Sequence, residues 1–187
     1  MRIHALVVLL LVAGSCAAEP RDSGPEWPIA CTLFPPQADA IADCARRDDD
    51  GELRLRPGVL TGEGASEGVS AVLIEGELFF ALNSGRTAPA LFFDNGPDYF
   101  VEGLARSMRD GKIGFVNERL DLVVPRQWDF AFPFEQGVAR VCTGCAITRG
   151  DGDEHGTVDG GVWGLIDREG RVVAPAESEQ KSLPPEQ

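Results

Sequence analysis

Positive charge is scarce in this chain. Its 187 residues hold 17 Lys and Arg against 30 Asp and Glu, a formal net charge of -13. A surface that acidic repels phosphate backbones, so nucleic acid is excluded as a partner class and anionic membrane surfaces are disfavoured. Long apolar runs are lacking as well. The run at residues 5–13 is nine residues long, well short of the roughly 20 that a membrane-crossing helix needs. Histidine is limited to His4 and His155. Neither His4, in the leader, nor any serine sits in a recognisable catalytic motif, and there is no glycine-rich phosphate loop. The acidic stretch Asp151, Asp153 and Glu154 lacks the EF-hand spacing and reads as a solvated loop. Nothing here calls for a cofactor or names an enzyme class.

What is present begins with a leader. Arg2 followed by the apolar run reads as an export signal over residues 1–15. Ala13-Gly14-Ser15-Cys16 resembles the lipobox of bacterial lipoproteins, in which small residues precede the cysteine that becomes acylated. Ala13 stands where leucine is usual, and cleavage after Ala17 or Ala18 is the competing reading. The resemblance implies a periplasmic lipoprotein at the outer membrane, because Ala17 is not a retention aspartate. Membrane contact would then run only through the lipid; without acylation the chain would be soluble in the periplasm. Residues 16–30, with Pro20, Gly24, Pro25 and Pro28, read as a flexible tether.

Setting Cys16 aside leaves Cys31, Cys44, Cys142 and Cys145, and an even number in an exported chain favours disulfides. Local spacing favours Cys31–Cys44 and Cys142–Cys145 over the other connectivities. Cys142-Thr143-Gly144-Cys145 admits two further readings. With His155 it offers two thiolates and an imidazole to zinc, Asp153 or Glu154 completing the tetrahedron. As a redox dithiol it would lack the helix N-terminus that lowers a thiol pKa, because residues 138–141 read as strand.

Ala38, Ile41, Ala42 and Ala45 recur at helix-like spacing after Pro35-Pro36. They predict a short helix ending near Arg47, closed by Asp48-Asp49-Asp50-Gly51 and stapled by Cys31–Cys44 within a segment at 31–52. Beyond Gly51 the pattern is β. Short apolar stretches around Val72, Phe79 and Phe92 are broken by Gly, Asn and Asp turns, as in antiparallel sheet. Residues 176–187, polar with Pro184 and Pro185, read as a disordered tail.

The β region repeats. Gly111-Lys112-Ile113-Gly114-Phe115-Val116-Asn117 leads to Leu122-Val123-Val124-Pro125, and Gly161-Val162-Trp163-Gly164-Leu165-Ile166-Asp167 leads to Val172-Val173-Ala174-Pro175 at the same spacing. A looser copy runs from Leu78 to Pro89. Glu102-Gly103-Leu104-Ala105 returns 34 residues later as Gln136-Gly137-Val138-Ala139. These residues resemble the bacterial WG-repeat family, with Gly114, Pro125, Trp163, Gly164, Asp167, Gly170 and Pro175 at its signature positions and Ile113 in place of the first Trp. The resemblance implies a mostly β fold of tandem antiparallel hairpins, each strand pair ending at its proline, stacked as a small solenoid-like domain over 53–175 (units about 76–110, 111–160 and 161–175). It also implies a non-catalytic protein that presents a surface to a protein or envelope partner. Trp128, Phe130, Phe132 and Phe134 alternate as one aromatic strand face, read as core between repeats rather than a ligand platform.

Overall fold

The computed structural model describes residues 27–35, 40–60, 68–148 and 156–174. The leader, Cys16, the tether up to residue 26, His155, Pro175 and the tail expected at 176–187 lie outside them. The described residues are all β, with no helix long and apolar enough to cross a membrane.

Antiparallel three-stranded meanders recur along the chain. The first is β1 (Ile29–Leu33), β2 (Ile41–Arg47) and β3 (Leu53–Leu55); the second is β4 (Ser70–Ile74), β5 (Glu77–Ala81) and β6 (Thr87–Pro89). A small hairpin, β7 (Phe92–Phe93) and β8 (Gly96–Pro97), intervenes. The third meander is β9 (Leu104–Arg109), β10 (Lys112–Asn117) and β11 (Leu122–Trp128). After the short β12 (Phe130–Ala131) comes the fourth: β13 (Val138–Thr148), β14 (Thr157–Asp167) and β15 (Val172–Ala174).

One loop, built the same way each time, joins the second strand to the third in every meander. In Asp48–Glu52, Leu82–Arg86, Asn117–Asp121 and Asp167–Arg171 the first residue donates its amide to the carbonyl of the fifth and accepts from the amide of the fourth, at 2.8 to 3.1 Å. The fourth residue is left-handed: Gly51, Gly85 and Gly170 have φ of 80°, 85° and 81°, and Leu120 has 61°. Where the first residue is Asp or Asn, its side chain closes the loop further. Oδ1 of Asp48 accepts from Asp50 and Glu52, that of Asn117 from Arg119 and Asp121, and that of Asp167 from Glu169 and Arg171. Leu120 bears the left-handed cost of roughly 1–2 kcal/mol. Its side chain is 3% exposed, and burying a leucine contributes about 1.5–3 kcal/mol, which offsets the strain.

The helix expected between Pro35 and Arg47 is corrected by this pattern. Ile41–Arg47 is strand β2, and residues 36–39 lie outside the described ones. Ile41 pairs with Cys31 and Ala45 with Ile29, and the disulfide Cys31–Cys44 ties the two strands at a Cα separation of 5.7 Å. Tertiary pairing overrides the helix propensity of these alanines, which is a weak determinant against strand pairing. The expected units at 111–160 and 161–175 also divide differently, because each meander opens with a strand, β9 or β13, that precedes the Gly-based anchor.

The meanders associate in twos. The first two form a six-stranded sheet in the order β3-β2-β1-β4-β5-β6. Its ends meet through the bridge Arg54↔Arg86, the Leu55 amide on Gly85 O at 2.8 Å, and the Thr87 hydroxyl on Leu53 O at 2.6 Å. Closure removes both edges. Leu55, Val72, Ile74 and Phe79 fill the interior beside the disulfide. The last two meanders form a three-stranded and a four-stranded sheet, β11-β10-β9 and β12-β13-β14-β15, over a second core of Phe115, Val124, Phe134, Val141 and Ile166. A third cluster, with Phe80, Ala105, Val116 and Leu120, joins the halves.

Candidate functional site

The cysteine motif sits on β13, opposite β14, with Cys142 facing Trp163 and Cys145 facing Gly160. Residues three apart on a regular strand point to opposite faces and lie about 10 Å apart. Here the two Cα atoms are 6.1 Å apart and the sulfurs are at disulfide distance. The cause is a kink: Gly144, Gly160 and Gly161 all take positive φ, at 77°, 72° and 73°. At Gly161 a Cβ would stand 2.5 Å from both Cys142 Sγ and Cys145 N, so no other residue fits that bend. Asp129 holds the kink from below by accepting the Gly144 amide at 2.7 Å while pairing with Lys112. The Lys112 ammonium and then the Gly144 amide keep the Asp129 carboxyl below its ordinary range.

His155, Asp153 and Glu154, the partners that a metal reading requires, lie outside the described residues. Among the described residues no group of three His, Cys, Asp or Glu is placed to hold an ion.

Trp163 lies beside the kink, 9% exposed, its indole N–H donating to Gly160 O at 3.1 Å. Phe130 and Phe132 pack on it with ring centroids 6.2 and 6.0 Å away, and the Arg140 guanidinium covers it at 4.4 Å. The single aromatic face expected from Trp128 to Phe134 is divided. Phe134 turns into the core against Phe115 at 4.7 Å, with Trp128 partly buried on the same cluster, while Phe130 and Phe132 turn to Trp163. Gly114 faces a bulge in β11, where a Cβ would meet Val124 O at 2.3 Å. The register shifts there, and the strand passes through Pro125 to Trp128 rather than ending at the proline. Gly164 lies in β14, and Asp167 and Gly170 form the last loop. Gly170 rests on Val124 just as Gly85 rests on Leu55 one pair earlier.

Arg106, which stands 34 residues before Arg140, shows what else the same strand position can do. It is 2% exposed and forks onto the equally buried Asp98, at 2.6 and 2.9 Å, while Asp98 also accepts the Arg106 amide and Ala131 O accepts a third guanidinium proton. A buried pair of this kind stands because further hydrogen bonds accompany the ion pair.

Sequence reading missed a second feature beside that pair. A pocket of about 360 Å³ opens between the closed six-stranded sheet and the β7–β8 hairpin. Phe34, Phe80 and Phe100 line it, Phe80 and Phe100 with centroids 5.1 Å apart, together with Asp94, Asn95 and Tyr99. The exposed aromatic rings of the described residues all fall in this one stretch: Phe92 at 56%, Phe93 at 41% and Tyr99 at 72%. The only available signal was Leu91-Phe92-Phe93 standing outside the repeat pattern, and an apolar run is read as buried strand by default.

Residues 113–144 and 163–180 match the family model described as WG containing repeat. The first match starts at Ile113-Gly114 and ends at the cysteine kink, and the second starts at Trp163-Gly164. No curated protein and no solved structure matches the chain.

Proposed function

We propose that this chain, which carries WG-containing repeats, is a non-catalytic binding protein of the cell envelope. In this reading it is exported, acylated at Cys16, and held at the outer membrane while its repeats present a contact surface to a protein or envelope component. The observation that carries the reading is the placement of the exposed rings. Repeat cores consume aromatics, yet Phe92 and Tyr99, on and just after the hairpin that interrupts the meanders, are 56% and 72% exposed, and Phe93 is 41% exposed with one contact to the Arg106 guanidinium at 4.6 Å. An exposed aromatic patch beside a cleft marks a contact site. The net charge of -13 supports a partner that is neither nucleic acid nor an anionic surface.

A second reading, metal binding or redox response at Cys142, Cys145 and His155, is favoured by the glycine kink that brings the two sulfurs together. One experiment separates the two. Oxidised protein is used to capture envelope components from an extract. The surface reading expects Cys142→Ala with Cys145→Ala to retain capture, and Tyr99→Ala with Phe92→Ala to lose it. The opposite pattern supports the cysteine site. Acylation is tested separately by fatty-acid labelling, which Cys16→Ser abolishes together with membrane fractionation.

A further inference from the structure

We infer that the pocket under the β7–β8 hairpin binds a neutral saccharide unit, an assignment that rests on the binding-protein reading and names its ligand class. The pocket's volume of about 360 Å³ lies at the small end of the roughly 300–1,000 Å³ typical of small-molecule sites. Its lining is mixed. It includes the rings of Phe34, Phe100, the buried Phe80 and Tyr99, the last 72% exposed. It also includes the exposed turn residues Asp94 and Asn95, a carboxylate and an amide hydrogen-bonded to each other at 3.1 Å.

A pyranose ring combines the same two characters. Its axial C–H bonds form a weakly positive apolar patch that suits the negative face of an aromatic ring, and its rim of hydroxyls donates and accepts. Asp94 accepts only, and Asn95 does both, so the pair matches adjacent hydroxyls. Charge narrows the class further. A carboxylate at the mouth and a net charge of -13 oppose acidic sugars and phosphate esters. Arg106, paired with the pocket-lining Asp98, is 2% exposed and directs its guanidinium at Asp98 and Ala131 O, so it offers no anion an accessible partner.

The frame is rigid where it must be. Gly96 at the turn lies against the Phe34 ring, where a Cβ would stand 3.2 Å from it. Asp98 is anchored at the base of the same hairpin, its amide on Leu91 O at 2.9 Å. The backbone that carries the turn is therefore held at Gly96 and Asp98, which lowers the ordering cost of binding.

The test is saturation-transfer NMR on the oxidised full chain with maltose, cellobiose, lactose, di-N-acetylchitobiose and a glucuronate-containing disaccharide. At least one neutral disaccharide is expected to receive saturation at its ring C–H protons, and the acidic one to receive none. Tyr99→Ala, and Asp94→Asn, which keeps a residue that tolerates the left-handed φ of 53° at that turn, are each expected to weaken that binding about tenfold with the thermal midpoint unchanged. No transfer to any neutral sugar overturns the assignment, as does equal transfer to the acidic one or binding unmoved by both variants. If the sugars fail while Tyr99→Ala still abolishes capture from the envelope extract, the saccharide class falls and the binding reading stands. If capture is also unmoved by that variant, both fall.

Discussion

The two halves of the molecule are built from the same meander and solve the edge problem differently. In the first pair, β3 and β6 meet and the six-stranded sheet closes; in the second, β15 has an outer edge with no partner among the described residues, and Val172 and Val173 are 61% and 52% exposed. Their disulfides differ in the same sense. Cys31–Cys44 staples two neighbouring strands inside a core, whereas Cys142–Cys145 fastens a kink within one strand. The same repeat can thus serve as a sealed support or as an open frame. The features that face solvent with chemistry on offer are departures from it: the β7–β8 hairpin and the kinked β13–β14 extension.

The contrast can be broken most severely at Arg106. Arg106→Ala leaves the buried Asp98 carboxylate alone and is expected to cost about 3–5 kcal/mol, whereas Arg140→Ala, its counterpart over Trp163, is expected to cost about 0.5–2 kcal/mol. Denaturant unfolding of both variants measures the difference. Next come the disulfides. Replacing Cys31 and Cys44 by alanine should lower stability by about 3 kcal/mol from chain entropy, against at most about 2 kcal/mol for Cys142 and Cys145 with their shorter loop; thermal melts of the two double variants compare them. At the equivalent loop glycines, Gly170→Ala meets only the movable Val124 side chain, at 3.1 Å, and should cost roughly the 1–2 kcal/mol of a left-handed alanine. Gly85→Ala meets Leu55 O at 2.5 Å and should cost more, read by the same melts.

The smallest effect is acid sensitivity. The Arg54 guanidinium, with the loop amides, holds Asp48 below its ordinary range. At Asp167 burial pushes the carboxyl up, but the Arg171 amide and guanidinium outweigh it and the net shift is down. Both loops therefore contribute their full stability above the unfolded aspartate value of about 4 and lose it as pH falls through the lower folded values. A melting series from pH 5 to 3 should show a steeper fall for wild type than for Asp48→Asn with Asp167→Asn.

The repeat was legible in the sequence because its turn chemistry is local: Asp167 to Gly170 and Gln136-Gly137 fix turns, and Ile113-Gly114 a close backbone approach. The first meander was hidden because its alanines fit a helix and its β2–β3 loop was read only as a stop. Asp48-Asp49-Asp50-Gly51 has the Asp and Gly spacing of Asp167-Arg168-Glu169-Gly170, and that was the available signal. Barrel closure and the pocket were not legible. Each depends on residues far apart in sequence meeting, such as Arg54 with Arg86 or Phe34 with Gly96, and no local pattern specifies those.

The claim that contact belongs to the departure from the repeat, not to the open repeat end, is tested most directly by site-specific photocrosslinking in the producing cells. A benzophenone amino acid is placed at residue 99 or at residue 173, positions that are 72% and 52% exposed. The account predicts a discrete adduct from residue 99 and none from residue 173. An adduct from residue 173 with none from residue 99 would contradict it.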